Sequence, residues 1–515
     1  MFTRRQTIGL LGGGAATLAL GTCAAGTAAQ SAAAPLADDR RWLAKLGEGL
    51  RQEYDYAPDV EGRLPDGLAG TLYRNGPGLF ERDGSKKRNL LDGDGMIRAT
   101  SFESGRVRFR TRFVRTRKYL AEEEAGAFLY PTWTTPAPGF LDNIPCIPSR
   151  SQAGITPVVK DGVLYAFDEV GGPYGLDPAT LETRRQIDPY EGAADSGPAN
   201  YKAHTKTDGE TGRWVLVGQR GRVSPELHIM VKDRASRQER HVVQPNPRGA
   251  AYFHDFFWAE PYVVFYLQPA LLSPLPMLAG FRPFAESLDW RPEEGGLLFV
   301  VDTTGTRPPL TVEVPAVWMW HALNAYAAGD TIVADFVGYD APDHFLGPNA
   351  ALRAIMQGRE GTAEAPGTLR RLTIDLTGRR ARLETVAAGR YEFPVVPPAR
   401  AGRKHRYGYV ASLDAGQGWF HDGLARIDTA TGAIAAFHFG PGQYVSEPVF
   451  VPDPAGAAST AGEDRGWLLS EVLDGASGTS ALAVFDAAGL EAGPIAKVRL
   501  SHHLPMSFHG WWQAA

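Results

Sequence analysis

Cysteine is almost absent: 515 residues carry two, Cys23 and Cys146. Cys23 falls in a segment that reads as an export signal, so the mature chain keeps Cys146 alone and no internal disulfide can form, even in an oxidising compartment. Stability has to come from packing. Excess charge of either sign is also absent, since 53 Lys+Arg stand against 58 Asp+Glu for a formal net charge of −5. Removing the export segment takes away Arg4 and Arg5 and no acidic residue, which moves the charge by two to −7. A mildly acidic chain lacks the basic footprint of a nucleic-acid binder. Past the first residues, no stretch is long and apolar enough to span a bilayer as a helix.

What is present begins with that signal. Thr3-Arg4-Arg5-Gln6-Thr7-Ile8 precedes the apolar run Gly9 to Leu20, and small residues follow. Residues 1–35 read as a twin-arginine segment, which exports proteins already folded and therefore predicts a periplasmic or exported location. Such a route suits an enzyme that loads its metal inside the cell. Leu20-Gly21-Thr22-Cys23 faintly resembles a lipoprotein cleavage box, so a lipid anchor at Cys23 stays open.

With 43% hydrophobic residues, 59 Gly and 38 Pro, the remainder reads as globular, turn-rich and mainly β. Residues 36–62 look like an N-terminal extension, with a short helix expected over 41–53 that carries Trp42, Leu43, Leu46 and Leu50 at helical spacing. The strand signal then dominates. Val107, Phe109, Thr111 and Phe113 alternate with Arg106, Arg108, Arg110 and Arg112, which predicts a strand with one buried and one solvated face. Short strands between Asp-Gly or Gly-rich turns are expected at 162–167, 214–217, 297–302, 331–336, 369–374 and 481–485. No repeat of fixed period is visible.

Four of the twelve histidines sit in aromatic- or glycine-marked words: His204 in AHTKTDGETG, His254 in YFHDFFW, His321 in WHALNAY and His509 in SFHGWW. Their separations of 50, 67 and 188 residues match no local zinc or facial-triad motif. They suggest one metal gathered from four separate elements. Neutral imidazole suits iron, copper, zinc and nickel, and a site without a ligating carboxylate leaves the charge of a divalent ion uncompensated among its ligands.

The words around these histidines extend into a longer series: GTLYRNGPG at Gly70 to Gly78, DGDGM at Asp92 to Met96, EFP at Glu392 to Pro394, SEPVFVP at Ser446 to Pro452, and a long C-terminal block closing on FHGWW. In that order they resemble the carotenoid cleavage oxygenases, non-haem iron dioxygenases built on a seven-bladed β-propeller. The resemblance implies an all-β fold in which residues 63–515 form one propeller capped by loops and short helices on its active-site face. It implies that His204, His254, His321 and His509 hold one Fe(II), leaving two neighbouring coordination positions open. Three glutamates of the family support the ligands, and the matching positions are Glu169 for His254, Glu392 for His321 and Glu447 for His509, with Asp168 a rival to Glu169. Thr156, in GITPVV, is the candidate for a residue that restricts the sixth coordination position.

The implied reaction adds dioxygen across a conjugated carbon–carbon double bond and releases two carbonyl products. Cleavage position would be set by the length and shape of a tunnel. A carotenoid or apocarotenoid is the expected substrate. Stilbene or phenylpropenoid cleavage is an alternative, although stilbene cleavers of the family place a lysine where this chain has Asp168. A non-oxygenase propeller is the third reading. The uncharged run Tyr262 to Phe281 resembles a membrane-dipping patch from which relatives collect substrate, with a core-packed connection between blades as its alternative.

Other conspicuous groups have plainer readings. Arg403-Lys404-His405-Arg406 is expected to be a solvated basic turn, and Asp92-Gly93-Asp94-Gly95 a tight turn that lacks the calcium-loop pattern. His502 and His503 compete with His509 as ligands, and the FHG context favours His509. Relatives carry a histidine near Arg88-Asn89-Leu90-Leu91 that this chain lacks.

Overall fold

Alternation along residues 106–113 translates directly into structure. The strand Arg106–Phe113 buries Val107, Phe109, Thr111 and Phe113 and turns its arginines outward, pairing residue by residue with Asp94–Glu103. The computed structural model describes residues 35–143, 150–189, 200–221, 225–233, 239–414, 418–440, 442–456 and 462–515. The export segment, Cys23 and Cys146 lie outside the described residues.

Seven antiparallel sheets of four to six strands follow one another as the blades of a β-propeller. Blades two to six begin at Thr156–Lys160, Asn200–Thr207, Phe257–Ala259, Trp318–Ala328 and Tyr391–Val395 and use consecutive strands, except that a separate pair, Ala270–Leu272 with Leu288–Trp290, is inserted in the middle of blade four. Blade seven is built from residues 443–499. Blade one combines Gly70–Leu79, Asp94–Glu103 and Arg106–Phe113 with Gly510–Ala514 from the other end of the chain, which pairs with Gly70–Leu79 and closes the ring. The first strands of blades four, five and six touch in turn, and that of blade two touches Gly70–Leu79 and Gly510–Ala514 of blade one, as expected for strands lining the axis.

Apolar cores sit between blades. Val215, Val217 and Ile229 of blade three pack on Val263 and Phe265 of blade four, whereas Val264 and Tyr266 on the opposite face of that strand pack on Ile332 and Phe336 of blade five. A strand buried on both faces reads as an unbroken apolar run. This corrects the reading of Tyr262 to Phe281 as one patch. Tyr262–Leu267 is a fully buried blade strand paired with Gly296–Asp302, and only the later part reaches the surface. There Leu275 and Phe281 are 78% and 72% exposed, and Phe140 and Leu141 join them, with the Phe140 and Phe281 rings 5.8 Å apart. No helix among the described residues is long and apolar enough to cross a membrane.

Two further expectations are corrected. Instead of a helix over 41–53, a 3-10 helix spans Asp38–Gly47 and the chain runs extended from Glu48 onward. Gly49 lies so close to the next segment that a Cβ there would stand 3.0 Å from the Gly78 carbonyl, a contact a continuing helix could not make. Leu43, Leu46 and Leu50 are nevertheless buried. Downstream, Asp55–Tyr56 joins blade one and Asp59–Gly62 joins blade seven. The tetrad at 403–406 is not a freely solvated turn either. Arg403 grips Asp208 through both terminal nitrogens at 2.8 and 2.7 Å, Arg406 holds Asp428, and buried His405 lies 3.1 Å from Asp335. Asp92 accepts hydrogen bonds from Thr134 and Thr135, and Asp94 pairs with the Lys118 ammonium.

Candidate metal centre

Each ligand-bearing residue sits where a first strand breaks its regular ladder. Pairing shifts between Tyr201 and Thr205, bracketing His204, and between Met319 and Ala322, bracketing His321. His254 and His509 occupy irregular segments just before Phe257–Ala259 and Gly510–Ala514. A bulge or an irregular approach swings one side chain out of the two-residue alternation and toward the axis. In this way His204, His254, His321 and His509 come from four blades to one place, with one donor atom of each within 4.8 Å of all the others. His204 Nε2 and His254 Nε2 stand 3.0 Å apart. The side chains of His254, His321 and His509 are more than nine-tenths buried, and that of His204 is 11% exposed.

Three of the rings are oriented from behind. His254 Nδ1 donates to Glu169 Oε1 at 2.9 Å, His321 Nδ1 to Glu392 Oε2 at 2.5 Å, and His509 Nδ1 to Glu447 Oε1 at 2.8 Å. With Nδ1 protonated and spent, each Nε2 lone pair is left facing the cluster centre. The backbone N–H of Phe393 also donates to the Glu392 carboxylate, and Gly510 N–H donates to Glu447 at 2.6 Å. Phe393 takes a left-handed backbone, φ 54°, uncommon for a bulky residue, and its ring stacks on His321 with centroids 5.3 Å apart. Asp168 is turned away: its oxygens accept the N–H groups of Gln152 and Glu169.

Electrostatics disfavour protonation of two of the rings, His204 and His509. Burial pushes the proton affinity of His204 well below the ordinary histidine value, and the neighbouring rings of His509, His254 and His321 push in the same direction. Burial also lowers His509, against the opposing pull of Glu447. For Glu169 and Glu392 burial alone would favour the acid, but Lys202 and His254 outweigh it at Glu169, and His321 with the Phe393 N–H outweighs it at Glu392. Four imidazoles facing one point, three of them backed by glutamates, suit a divalent cation.

Two participants were not legible in the sequence. Lys202 points its Nζ at Glu169 Oε2 at 3.4 Å, between the rings of Tyr252 and Phe253. Asp255 is the carboxylate nearest to His204, whose Nδ1 it approaches only to 4.0 Å. Asp255 accepts from Lys206 Nζ, Phe256 N–H and Ala322 N–H, and so ties together the ligand-bearing segments of three blades. The only available signal was its place beside His254. Thr156 opens the first strand of blade two, and its buried Oγ1 has no hydrogen-bond partner. It lines a polar axial channel of about 250 Å³ together with His204, Lys206 and Asn324.

On the other side of the cluster is an aromatic slot with about 50 Å³ of free space, walled by Leu91, Trp133, Ile155, Trp320, Phe393 and Trp419. Two of the indole N–H groups are already used: Trp320 donates to His344 Nε2 at 2.7 Å and Trp419 to Tyr339 Oη at 3.3 Å. Apart from the histidines of the cluster, no residue lining the slot carries a polar side chain other than indole.

Residues 47–514 match the family described as retinal pigment epithelial membrane protein. The chain is 31% identical to the apocarotenoid-15,15'-oxygenase of Synechocystis sp., over 90% of its own length and 94% of that protein. It is 29% identical to the isoeugenol monooxygenase of Pseudomonas nitroreducens, over 88% and 94% respectively. The crystal structure of cobalt-substituted Synechocystis apocarotenoid oxygenase superposes with a TM-score of 0.83 at 30% identity, covering 93% of this chain and 99% of that one.

Proposed function

This chain belongs to the retinal pigment epithelial membrane protein family, that of the carotenoid cleavage oxygenases, and on that premise we propose that it is an iron(II) dioxygenase cleaving a conjugated double bond of a carotenoid or apocarotenoid into two carbonyl products. The slot carries this choice of substrate. A phenol needs a donor or acceptor for its hydroxyl; two of the three tryptophan N–H groups of the slot are bonded into the wall, only the Trp133 N–H is left as a donor, and the residue before Glu169 is Asp168, bound to backbone. A polyene has no polar group at its centre and loses nothing there.

His204, His254, His321 and His509 would hold one ferrous ion, whose chemistry is to bind and activate dioxygen. The chain's own residues do the rest. Glu169, Glu392 and Glu447 fix three rings and balance the charge from behind. Trp133, Trp320, Phe393 and Trp419 hold one double bond beside the cluster and exclude water. Thr156, beside His204 in the axial channel, limits access from that side. The exposed group Phe140, Leu141, Leu275 and Phe281 supports a peripheral membrane contact for collecting an apolar substrate. The arginine pair near the start supports twin-arginine export to the periplasm, and Cys23 the lipid-anchor alternative.

A second reading, cleavage of a phenylpropenoid, draws on the similarity to isoeugenol monooxygenase and on the small volume of the slot. Product mass spectrometry with labelled dioxygen on carotenoid, apocarotenoid, stilbene and phenylpropenoid panels separates the two. Labelled aldehydes or ketones from polyenes are expected. Oxygen-dependent fragments from phenylpropenoids alone would replace the first reading with the second.

A further inference from the structure

A second cavity, of about 430 Å³, lies against the outer side of the aromatic slot. Consecutive residues divide between the two: Trp133 and Leu352 line the slot, and their neighbours Thr134 and Arg353 line the outer cavity. Phe345, also in the outer cavity, packs its ring 4.9 Å from that of Trp320. The outer cavity is thus a vestibule one side chain away from the slot.

Its floor is apolar, made by Leu288, Phe345 and Leu346, and its polar lining consists almost wholly of donors. Arg88 and Arg282 are exposed, and neither guanidinium has a hydrogen-bond or ion-pair partner among the described residues. The amide Nδ2 of Asn89, a residue 1% exposed, also lacks a partner, while its Oδ1 is occupied by the Leu91 N–H. Arg353 and Glu286 neutralise each other at 2.8 Å, which uses the only carboxylate in the lining, and Thr134 spends its hydroxyl on Asp92. Two guanidinium groups free of direct hydrogen-bond and ion-pair partners, Arg282 only at a distance from Asp289, and a donor amide over an apolar floor fit an anionic oxygen group at the end of an apolar chain.

We propose that this vestibule is a headgroup subsite, and that the enzyme prefers polyene substrates ending in a carboxylate, the end group lodging among Arg88, Asn89 and Arg282 while the conjugated chain enters the slot past Trp133 and Leu352. The inference rests on the polyene-cleaving reading and narrows it. The slot recognises no end group, so discrimination among acid, aldehyde and alcohol ends falls to the vestibule. Its action is on binding, because the end group makes the same contacts before and during bond scission.

The test compares chain-matched polyenes ending in carboxylate, aldehyde or alcohol. KM for the acid is expected to be about 5- to 20-fold lower than for the alcohol, the size of one or two partly solvated charge-assisted contacts, with kcat unchanged. The double variant Arg88→Gln/Arg282→Gln should abolish that ratio, raising the KM for the acid far more than that for the alcohol. Equal KM values in the wild type, or a ratio that survives in the double variant, would overturn the proposal. Quenching of tryptophan fluorescence by the same acid and alcohol gives an affinity ratio that does not depend on turnover. If no polyene is cleaved yet the arginine-dependent affinity ratio persists, the reaction is wrong and the subsite stands. The same positive charge could instead meet the phosphates of a bilayer, so vesicles of anionic and of zwitterionic phospholipid form a further arm. Leu275→Ser/Phe281→Ser is expected to weaken vesicle association and keep the acid preference. Loss of anionic-vesicle binding in the arginine double variant, with the acid-to-alcohol ratio intact, would assign the charge to the membrane and remove the subsite.

Discussion

Glu447 shows how much of the chemistry is arranged one residue behind the ligands. Its two oxygens take His509 Nδ1–H and Gly510 N–H, so one carboxylate fixes both the ring and the backbone that carries it. Glu447→Gln keeps the shape but removes the charge and one acceptor, and is expected to lower iron occupancy or turnover about 10- to 100-fold. Metal analysis and turnover of the purified variant check this, and wild-type values in both would take the role away from Glu447. The four histidines were legible because each is embedded in a distinctive word. Glu392 and Glu447 were legible for the same reason. At 168–169 the sequence offered two adjacent carboxylates, and it is the fold that turns Glu169 to His254 and Asp168 to the Gln152 backbone. Lys202 and Asp255 stayed hidden because their importance lies in partners on other blades, which no local pattern encodes.

Elements that carry ligands are irregular where the ligand sits, and His509 is the extreme case. Residues 503–509 belong to no helix or strand. Two fully buried arginines substitute for a sheet ladder. Arg74 donates to Ser507 Oγ, Phe508 O and Glu447 O at 3.0, 3.2 and 2.8 Å, and Arg98 donates to Pro505 O and Met506 O at 2.9 and 3.3 Å. Glu471 holds Arg98 at 2.6 Å and approaches Arg74 to 3.8 Å, compensating part of their charge. Lysine can supply the charge of Arg74 but not its fork of donors. Arg74→Lys is therefore expected to weaken cobalt or iron binding to metal-free protein about tenfold, one lost charge-assisted hydrogen bond or more. Metal titration by calorimetry reads this directly, and an unaltered dissociation constant would show that the segment holds itself. The RNGPG word was visible in the sequence, but the purpose of its arginine was not, since the carbonyls that it grips lie more than 370 residues away. The helix expected over 41–53 failed for a related reason: apolar spacing does not reveal that Leu50 N–H donates to the Gly78 carbonyl at 2.8 Å.

Over the whole molecule, closure and burial set the response to acid. His344 and His421 are enclosed near Glu392, and burial drives them down to about 3 and about 4 from an ordinary value of 6.5. Both are neutral when folded and take up protons when unfolded, so the unfolded chain binds more protons below 6.5. Stability is complete above that pH and declines as pH falls toward the folded values, by about 2 kcal/mol for each histidine at pH 5. Urea midpoints at pH 7 and pH 5 should show the decline, and His421→Gln should make it smaller. An equal decline in the variant would place the acid sensitivity elsewhere. At this scale the strand-rich class was legible from alternation and turns, whereas the number of blades came only from resemblance, because no fixed repeat survives in the sequence. The two-sided burial of Tyr262–Leu267 misled the reading of a surface patch, as a blade sandwiched between two others presents no polar face.

The strand Gly510–Ala514, which completes blade one, immediately follows His509. A ribosome making this protein releases almost every residue of the ring before either the last strand or the fourth imidazole exists. Until that moment three histidines wait on an open arc, and then one short hairpin-free pairing with Gly70–Leu79 supplies both the fastening and the final donor. Fastening of the ring and completion of the donor set are therefore one event, and a chain cut before His509 would lose both together.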